Sequence, residues 1–322
     1  MLTEKTNILC ILDILKKYSD SDHILSLGEI QKKLKSIYDL EADRRTIYRN
    51  MDALIEFGYD ISKYSENKEG YFLREREFEP SEIHMLCDAV LSADCISKAQ
   101  CEELVRKLQS LGSIHQTKSF SRLGMMKSEK QSPNPQLFYN IDLLDNAISA
   151  GRKVEFDYYI YDINLQQKPK REKKYTASPY AIYWSNDRYY LISSLGNHDG
   201  ITHFRLDRIR NLNIREEPVK PAPKGFNPYQ YASKALFMFG GDIQNYTIRC
   251  EHRILQDVID RFGDKIIISQ PDEDSFTAVV KATTGGMRLW AIHYMEACRV
   301  LSPQWLVDDV KAAITKGMEK YT

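Results

Sequence analysis

Five short β-prone runs crowd into one stretch of this 322-residue chain: residues 154–161, 175–184, 189–194, 201–206 and 212–215. Turn residues separate them, among them Ser185-Asn186-Asp187 and Gly196-Asn197-His198-Asp199-Gly200. Strands this short and this closely spaced suit a small barrel. The segment therefore reads as a domain of its own, with helical sequence before it and a mixed pattern after it.

The chain is too long for one ordinary domain. In its first 80 residues, Ile8, Ile11, Leu12 and Leu15 follow helical spacing, and Leu27, Ile30 and Leu34 mark a second helix. Asp43 caps a third, which runs to about Phe57 with Ile47, Met51 and Leu54 inward and is stopped by Gly58. Two strand-like pieces follow, 60–64 and 71–74, joined by a polar turn. Residues 81–110 are helical in pattern, 112–135 form a polar linker, and another helix covers about 136–150. A second linker, 216–229, carries Pro218, Pro221, Pro223 and Pro228, and alternating strands and helices close the chain. The expected fold class is α+β multidomain, with boundaries at 1–78, 79–138, 139–217 and 243–322.

The net charge of zero hides an asymmetry. Residues 1–80 hold 13 Lys and Arg against 16 Asp and Glu, whereas residues 151–215 hold 12 against 7. An anionic partner is thus expected at the middle segment as well as at the N-terminus. No apolar run approaches a membrane span, and the first residues lack the plan of a signal peptide, so a cytoplasmic protein without a membrane partner is expected. The six cysteines show no metal-ligand spacing and read as buried free thiols. No P-loop, GxSxG or HExxH occurs, and Thr283-Thr284-Gly285-Gly286 reads as a helix cap. Neither an enzyme nor a cofactor or metal is expected.

On the third helix, Arg45 and Arg49 fall opposite Ile47, Met51 and Leu54, with Thr46 and Tyr48 on the flanks. Arginine forks suit phosphates and guanine edges, and hydroxyls can hold phosphates. The bland alternative is that Arg44, Arg45 and Arg49 only solvate one helix face. The string ADRRTIYRNMDALIEFGYDI resembles the recognition helix of DeoR-like winged helix proteins, over roughly residues 3–75. The resemblance implies an N-terminal winged helix-turn-helix that binds double-stranded DNA through Arg44, Arg45, Thr46, Tyr48 and Arg49, with Lys63 and Lys68 on the hairpin. Asp43 stands where that family usually has Ser.

Tyr189-Tyr190-Leu191 and Phe204-Arg205-Leu206-Asp207-Arg208-Ile209, with Phe156-Asp157-Tyr158 and Pro179-Tyr180 before them, resemble the WYL domain of bacterial regulators. Tyr189 replaces the family's Trp, and Thr202 stands where an Arg is common. The resemblance implies a central Sm-like five-stranded β-barrel that senses a nucleotide or single-stranded nucleic-acid effector. Strand alternation sets Phe204 and Leu206 on one face and His203 and Arg205 on the other. The expected effector surface is Tyr180, Tyr183, Trp184, Tyr190, His203, Arg205 and Arg208. Alternatively, Arg205 and Arg208 pair with Asp207, Asp187 or Glu155. Tyr158, Tyr159 and Tyr161 are expected in the core.

Residues 243–322 loosely resemble the extension that follows many WYL domains, which implies a homodimer. There Arg249 and Arg288 are expected mostly as surface ion pairs. Two readings of function follow: a ligand-responsive DNA-binding transcription regulator, or a nucleic-acid-binding accessory protein that modulates an enzyme partner.

Overall fold

The computed structural model describes residues 6–117, 134–196, 200–269 and 271–321. The chain divides into two compact units, Met1–Pro135 and Gln136–Thr322. No helix among the described residues is long and apolar enough to cross a membrane.

In the first unit, α1 (Asn7–Tyr18), α2 (Leu27–Tyr38) and α3 (Arg44–Phe57) precede an antiparallel hairpin of β1 (Ile61–Ser62) and β2 (Phe72–Leu73). α2 opens on a capping box: Ser26 Oγ accepts the Glu29 amide, and the Glu29 carboxylate accepts the Ser26 amide. This satisfies two amides that the helix cannot pair itself. α3 opens on Asp43, whose carboxylate accepts the Thr46 amide at 2.6 Å. It stops at Gly58, where a φ of 116° favours a residue without a side chain. Ile11, Ile14, Leu15, Ile30, Leu34, Ile47, Met51 and Leu54 share one apolar core with Ile61 and Leu73. Each contributes about 1.5–3 kcal/mol on leaving water.

The hairpin is shorter than the sequence suggested. The runs 60–64 and 71–74 keep two paired residues each, and a helical turn, α4 (Tyr64–Asn67), stands where a polar loop was expected. Asn67 organises it. Its amide group donates to Ser62 Oγ and the Gly70 carbonyl, while its oxygen accepts the Glu69 and Gly70 amides. Gly70 lies against the Leu25 backbone, where a side chain would collide with the carbonyl. Residues 81–110 form two helices, α5 (Pro80–Ser92) and α6 (Lys98–Gln109). Of the expected linker 112–135, residues 118–133 lie outside the described residues. Its start is pinned: Ser113 Oγ donates to the buried Asp20 carboxylate at 2.5 Å.

In the second unit, α7 (Leu137–Ser149) packs on a curled antiparallel sheet. Its strands are β3 (Arg152–Tyr161), β4 (Gln167–Pro169), β5 (Tyr175–Ser185), β6 (Arg188–Leu195), β7 (Ile201–Arg205) and β8 (Ile209–Pro218). Their order is β4-β3-β5-β6-β7, with β8 also on β3. The five expected runs are all strands, but the sheet has six. Polar β4 carried no apolar signal. Among the described residues no ladder joins β7 to β8; the 3-10 turn Leu206–Arg208 links them instead. Phe156, Tyr158, Tyr175 and Phe204 pack together inside, edge-on or stacked at 5.0–6.1 Å between ring centres. Tyr161, expected in this core, is exposed at the end of β3.

The expected linker 216–229 is not a free tether. Its start completes β8, and Pro228 begins α8 (Pro228–Lys234), which leads into the 3-10 turn Leu236–Met238. Proline suits a first helical turn because that amide has no helical partner. A second antiparallel sheet follows, in the order β10 (Ile267–Ser269), β11 (Ser275–Thr283), β9 (Ile243–Glu251), β12 (Cys298–Ser302). Three helices accompany it: α9 (Leu255–Phe262), α10 (Thr284–His293) and α11 (Gln304–Met318). Tyr246, Ile248, Phe276, Val280, Met287 and Trp290 form its core. Gly286 in α10 lies against Leu236, where a Cβ would stand 2.6 Å from the Leu236 Cβ and carbonyl oxygen. The glycine pair in the first turn of α10 thus serves close packing. All six cysteines are free and buried.

Candidate nucleic-acid and effector sites

α3 separates its two faces as its spacing dictates. Ile47, Met51 and Leu54 are buried, while Arg44, Arg45 and Arg49 are exposed. None of the three arginines has a carboxylate partner among the described residues. The nearby acid Asp52 is held by Lys63, Nζ to Oδ1 at 3.0 Å. Lys63 is therefore tied to the helix, rather than free for a phosphate as expected. Thr46 is half-buried, and Tyr48 is 46% exposed with its ring edge-on to Tyr71. Lys68 sits at the tip of the hairpin in the left-handed region, φ 63°, with Nζ donating to the Ser65 carbonyl. Hydrogen bonds from the Thr46 amide and side chain hold the Asp43 carboxyl below its usual range. The helix start therefore carries a fixed negative charge beside Arg45 and Arg49.

In the second unit the β5–β6 and β6–β7 ladders decide which expected residues meet. Tyr183 lies opposite Tyr190, and Tyr190 opposite Arg205, so these three share a face. Trp184 does not join them. It lies opposite Tyr189, on the Leu191 and Phe204 side, and its ring meets Tyr189 edge-on at 4.7 Å. Alternation along β5 sets these neighbours on opposite faces, and the register gives the Tyr190 face to Tyr183.

Arg205 is not a free cation. Its Nε and Nη2 donate to the two oxygens of Asp207 at 3.1 and 2.6 Å. Asp207 is buried, and Arg188 Nη1 stands 3.6 Å from the same carboxylate. Burial disfavours the Arg205 charge, but Asp207 outweighs this and raises the guanidinium pKa. The Arg205 amide donates to Tyr158 Oη, and burial pushes the Tyr158 and Tyr190 hydroxyls up. Arg208 has no ion-pair partner among the described residues, yet it acts electrostatically on both tyrosines. The arrangement is an aromatic pair beside one neutralised and one available guanidinium.

The remaining expected residues belong to a cover. Ile192 lies on the Tyr190 face, where an exposed polar surface was expected. It is fully buried with Ala232, Ala235 and Met238 from the α8 segment. His203 points into this cover: Nδ1 bonds the Met238 carbonyl at 2.8 Å, and the ring tilts against Tyr231. Its Nε2 is buried without a partner among the described residues, and burial lowers its pKa, so the ring is neutral and adds no cation to the surface. Tyr180 sits at a bulge, shares a hydrogen bond with Ser194 Oγ and donates to the Lys220 carbonyl, with Phe226 against its ring. The sequence signal that was missed is the apolar string Phe226, Tyr231, Ala235 and Met238 after the prolines. Around the second sheet, Arg249 of β9 pairs with Asp272, and Arg288 of α10 with Asp309 of α11, as ion pairs.

Residues 139–214 match the family model of the WYL domain, which is less than half of the chain. No curated protein matches the chain. Among solved structures it is similar to the proteasome accessory factor B/C (PafBC) of Arthrobacter aurescens, at 14% identity and a TM-score of 0.30, covering 99% of this chain and 49% of that one. The chain thus spans about half the length of that protein. It is also similar to a CRISPR Cas-related protein, at 13% identity and a TM-score of 0.37, covering 99% of this chain and 91% of that one. Likeness at this level fixes neither fold nor function.

Proposed function

We propose that this chain is a ligand-responsive transcription regulator. Its first unit is a winged helix-turn-helix in which Arg45, Thr46, Tyr48 and Arg49 of α3 meet duplex DNA, with Arg44 and Lys68 on flanking phosphates. Its WYL region, an Sm-like barrel, senses a nucleotide or a single-stranded nucleic acid through Tyr183, Tyr190 and Arg208, with Arg205 held in place by Asp207. It acts as a homodimer in the cytoplasm, since paired half-sites supply the specificity that one short helix lacks.

One observation carries the DNA reading: three arginines, without an ion-pair partner among the described residues, stand on the outer face of a capped helix packed beside a hairpin. The aromatic and guanidinium pairing within the WYL match supports the effector reading, because bases stack on such rings while cations neutralise their phosphates. A gel shift on the DNA upstream of the chain's own gene tests the first claim. Arg45→Ala with Arg49→Ala should weaken binding at least about tenfold and flatten the salt dependence by about 0.9 per lost phosphate contact. Binding equal to wild type would remove α3 as the reading helix.

A further inference from the structure

A second basic surface lies on the same sheet face as Tyr183 and Tyr190, at its opposite end. Ser178 pairs with Ser194 in the β5–β6 ladder, and residues 190, 192 and 194 of β6 alternate to one side. The α8 segment covers the middle of that face over Ile192. Beyond the cover, a cleft of about 450 Å³ is lined by Lys153, Arg171, Lys173, Lys174, Thr176 and Ser178, together with Leu195 and Gly196 at the end of β6. At about 3.3 Å per residue along the strand, its lining residue Gly196 is roughly 20 Å from Tyr190.

Among the described residues, the lining holds four cationic side chains and no carboxylate. Lys153 is paired, with Nζ 2.9 Å from Glu217. Lys173 and Lys174 are exposed and have no carboxylate partner among the described residues. Their loop is not left to chance. Arg171 donates from Nε to the Lys173 carbonyl at 2.8 Å and from Nη2 to the Lys174 carbonyl at 2.9 Å. Its guanidinium also lies 3.5 Å above the Tyr175 ring. These contacts hold adjacent ammonium groups around a concavity, where they repel one another unless an anion enters. Ser178 Oγ accepts the Lys220 amide, so its own proton is left to donate.

Among the described residues, the cleft offers charge and donors but no stacking platform. Tyr175 is buried and capped by Arg171. Lysine ammoniums are point charges that suit phosphate oxygens, and contacts of this kind hold a backbone without reading its bases. A concave site of this volume admits a flexible strand, whereas a duplex presents its phosphates on a convex cylinder. We infer that the Lys153/Arg171/Lys173/Lys174 cleft binds consecutive phosphates of a single-stranded nucleic acid, as an anion site separate from Tyr190 and Arg208. The inference rests on the reading of the second unit as a nucleic-acid sensor, but not on the role of α3.

Fluorescence anisotropy of the full chain with a labelled twelve-nucleotide oligo(dT), and with an abasic strand of the same length, tests it. Lys173→Ala with Lys174→Ala should weaken both strands at least about tenfold and flatten the salt slope by about 0.7 per lost phosphate contact. Lys173→Arg with Lys174→Arg should restore binding. Inorganic tripolyphosphate should displace oligo(dT) from wild type. Arg45→Ala with Arg49→Ala should leave strand binding unchanged, so a failed DNA-reading helix is seen in the gel shift alone. Tyr190→Leu, which removes a stacking ring and no charge, should weaken oligo(dT) while sparing the abasic strand, which separates the effector reading from this one. The inference is overturned if the double alanine variant binds both strands like wild type. It is equally overturned if the abasic strand fails to bind while oligo(dT) binds, or if tripolyphosphate binds and neither strand does.

Discussion

Arg205 grips Asp207 with two parallel hydrogen bonds, two residues apart in sequence and across the junction of β7 with its 3-10 turn. The carboxylate is 6% exposed and the guanidinium side chain 23%. Removing the acid leaves a half-buried cation with Tyr158 and Tyr190 beside it. Asp207→Asn should destabilise the second unit by about 2–3 kcal/mol, below the range for a fully buried pair because Arg205 reaches water. Urea unfolding measures this. An unchanged midpoint would show that the fork contributes nothing to the fold.

His203 gives the second unit an acid-side weakness. Its folded pKa lies below the ordinary 6.5 because burial disfavours the charged ring. Below pH 6.5 the unfolded chain therefore binds more protons than the folded one, and stability falls as pH falls through that value. The loss grows until the pH reaches the lower, folded pKa. His203→Gln keeps a polar group near the Met238 carbonyl but cannot titrate. The gap in melting temperature between pH 8 and pH 5.5 should be smaller in the variant than in wild type; equal gaps would exclude His203 as the source.

Two helical glycines should respond oppositely to alanine. Gly286 has Leu236 in the way, at 2.6 Å from the position of a new Cβ. Overpacking there outweighs the roughly 1 kcal/mol of helix propensity, and Gly286→Ala should cost about 1–3 kcal/mol. Gly317, near the end of α11, has nothing within 4 Å, so Gly317→Ala should stabilise by about 0.5–1 kcal/mol. Thermal unfolding of both variants checks the signs.

Asp43→Ser should strengthen duplex binding. Serine caps a helix about as well as aspartate, so α3 persists. The fixed carboxylate beside Arg45 and Arg49 disappears, and a hydroxyl that can donate to phosphate replaces it. Circular dichroism should be unchanged while affinity for duplex DNA rises. Weaker binding with an intact helix would argue that Asp43 orders the arginines directly.

The faces of α3 were legible because their cause is local: Ile47, Met51 and Leu54 recur at helical spacing, and Asp43 and Gly58 mark the ends. The strands of the first sheet were legible for the same reason. What escaped depends on partners far along the chain. His203 turns inward for a carbonyl 35 residues away, whereas the place of Trp184, next to Tyr183 on one strand, follows from alternation and was there to be read. Short β4 and the helical turn before Asn67 carry no apolar period. The charge excess of residues 151–215 was visible, but its gathering into one cleft requires the hairpin loop and β3 to meet.

The proline-bearing stretch after β8 invites a cut between two domains, and the α8 cover makes that cut a poor one. A fragment ending at Pro218 would leave Ile192 bare and take the Met238 carbonyl from His203. A fragment starting at Ile243 would take from Thr283 the Phe239 carbonyl to which its hydroxyl donates. Each half, made alone, would expose a raw surface meant for the same short segment, and would be inclined to aggregate before it could report on any ligand.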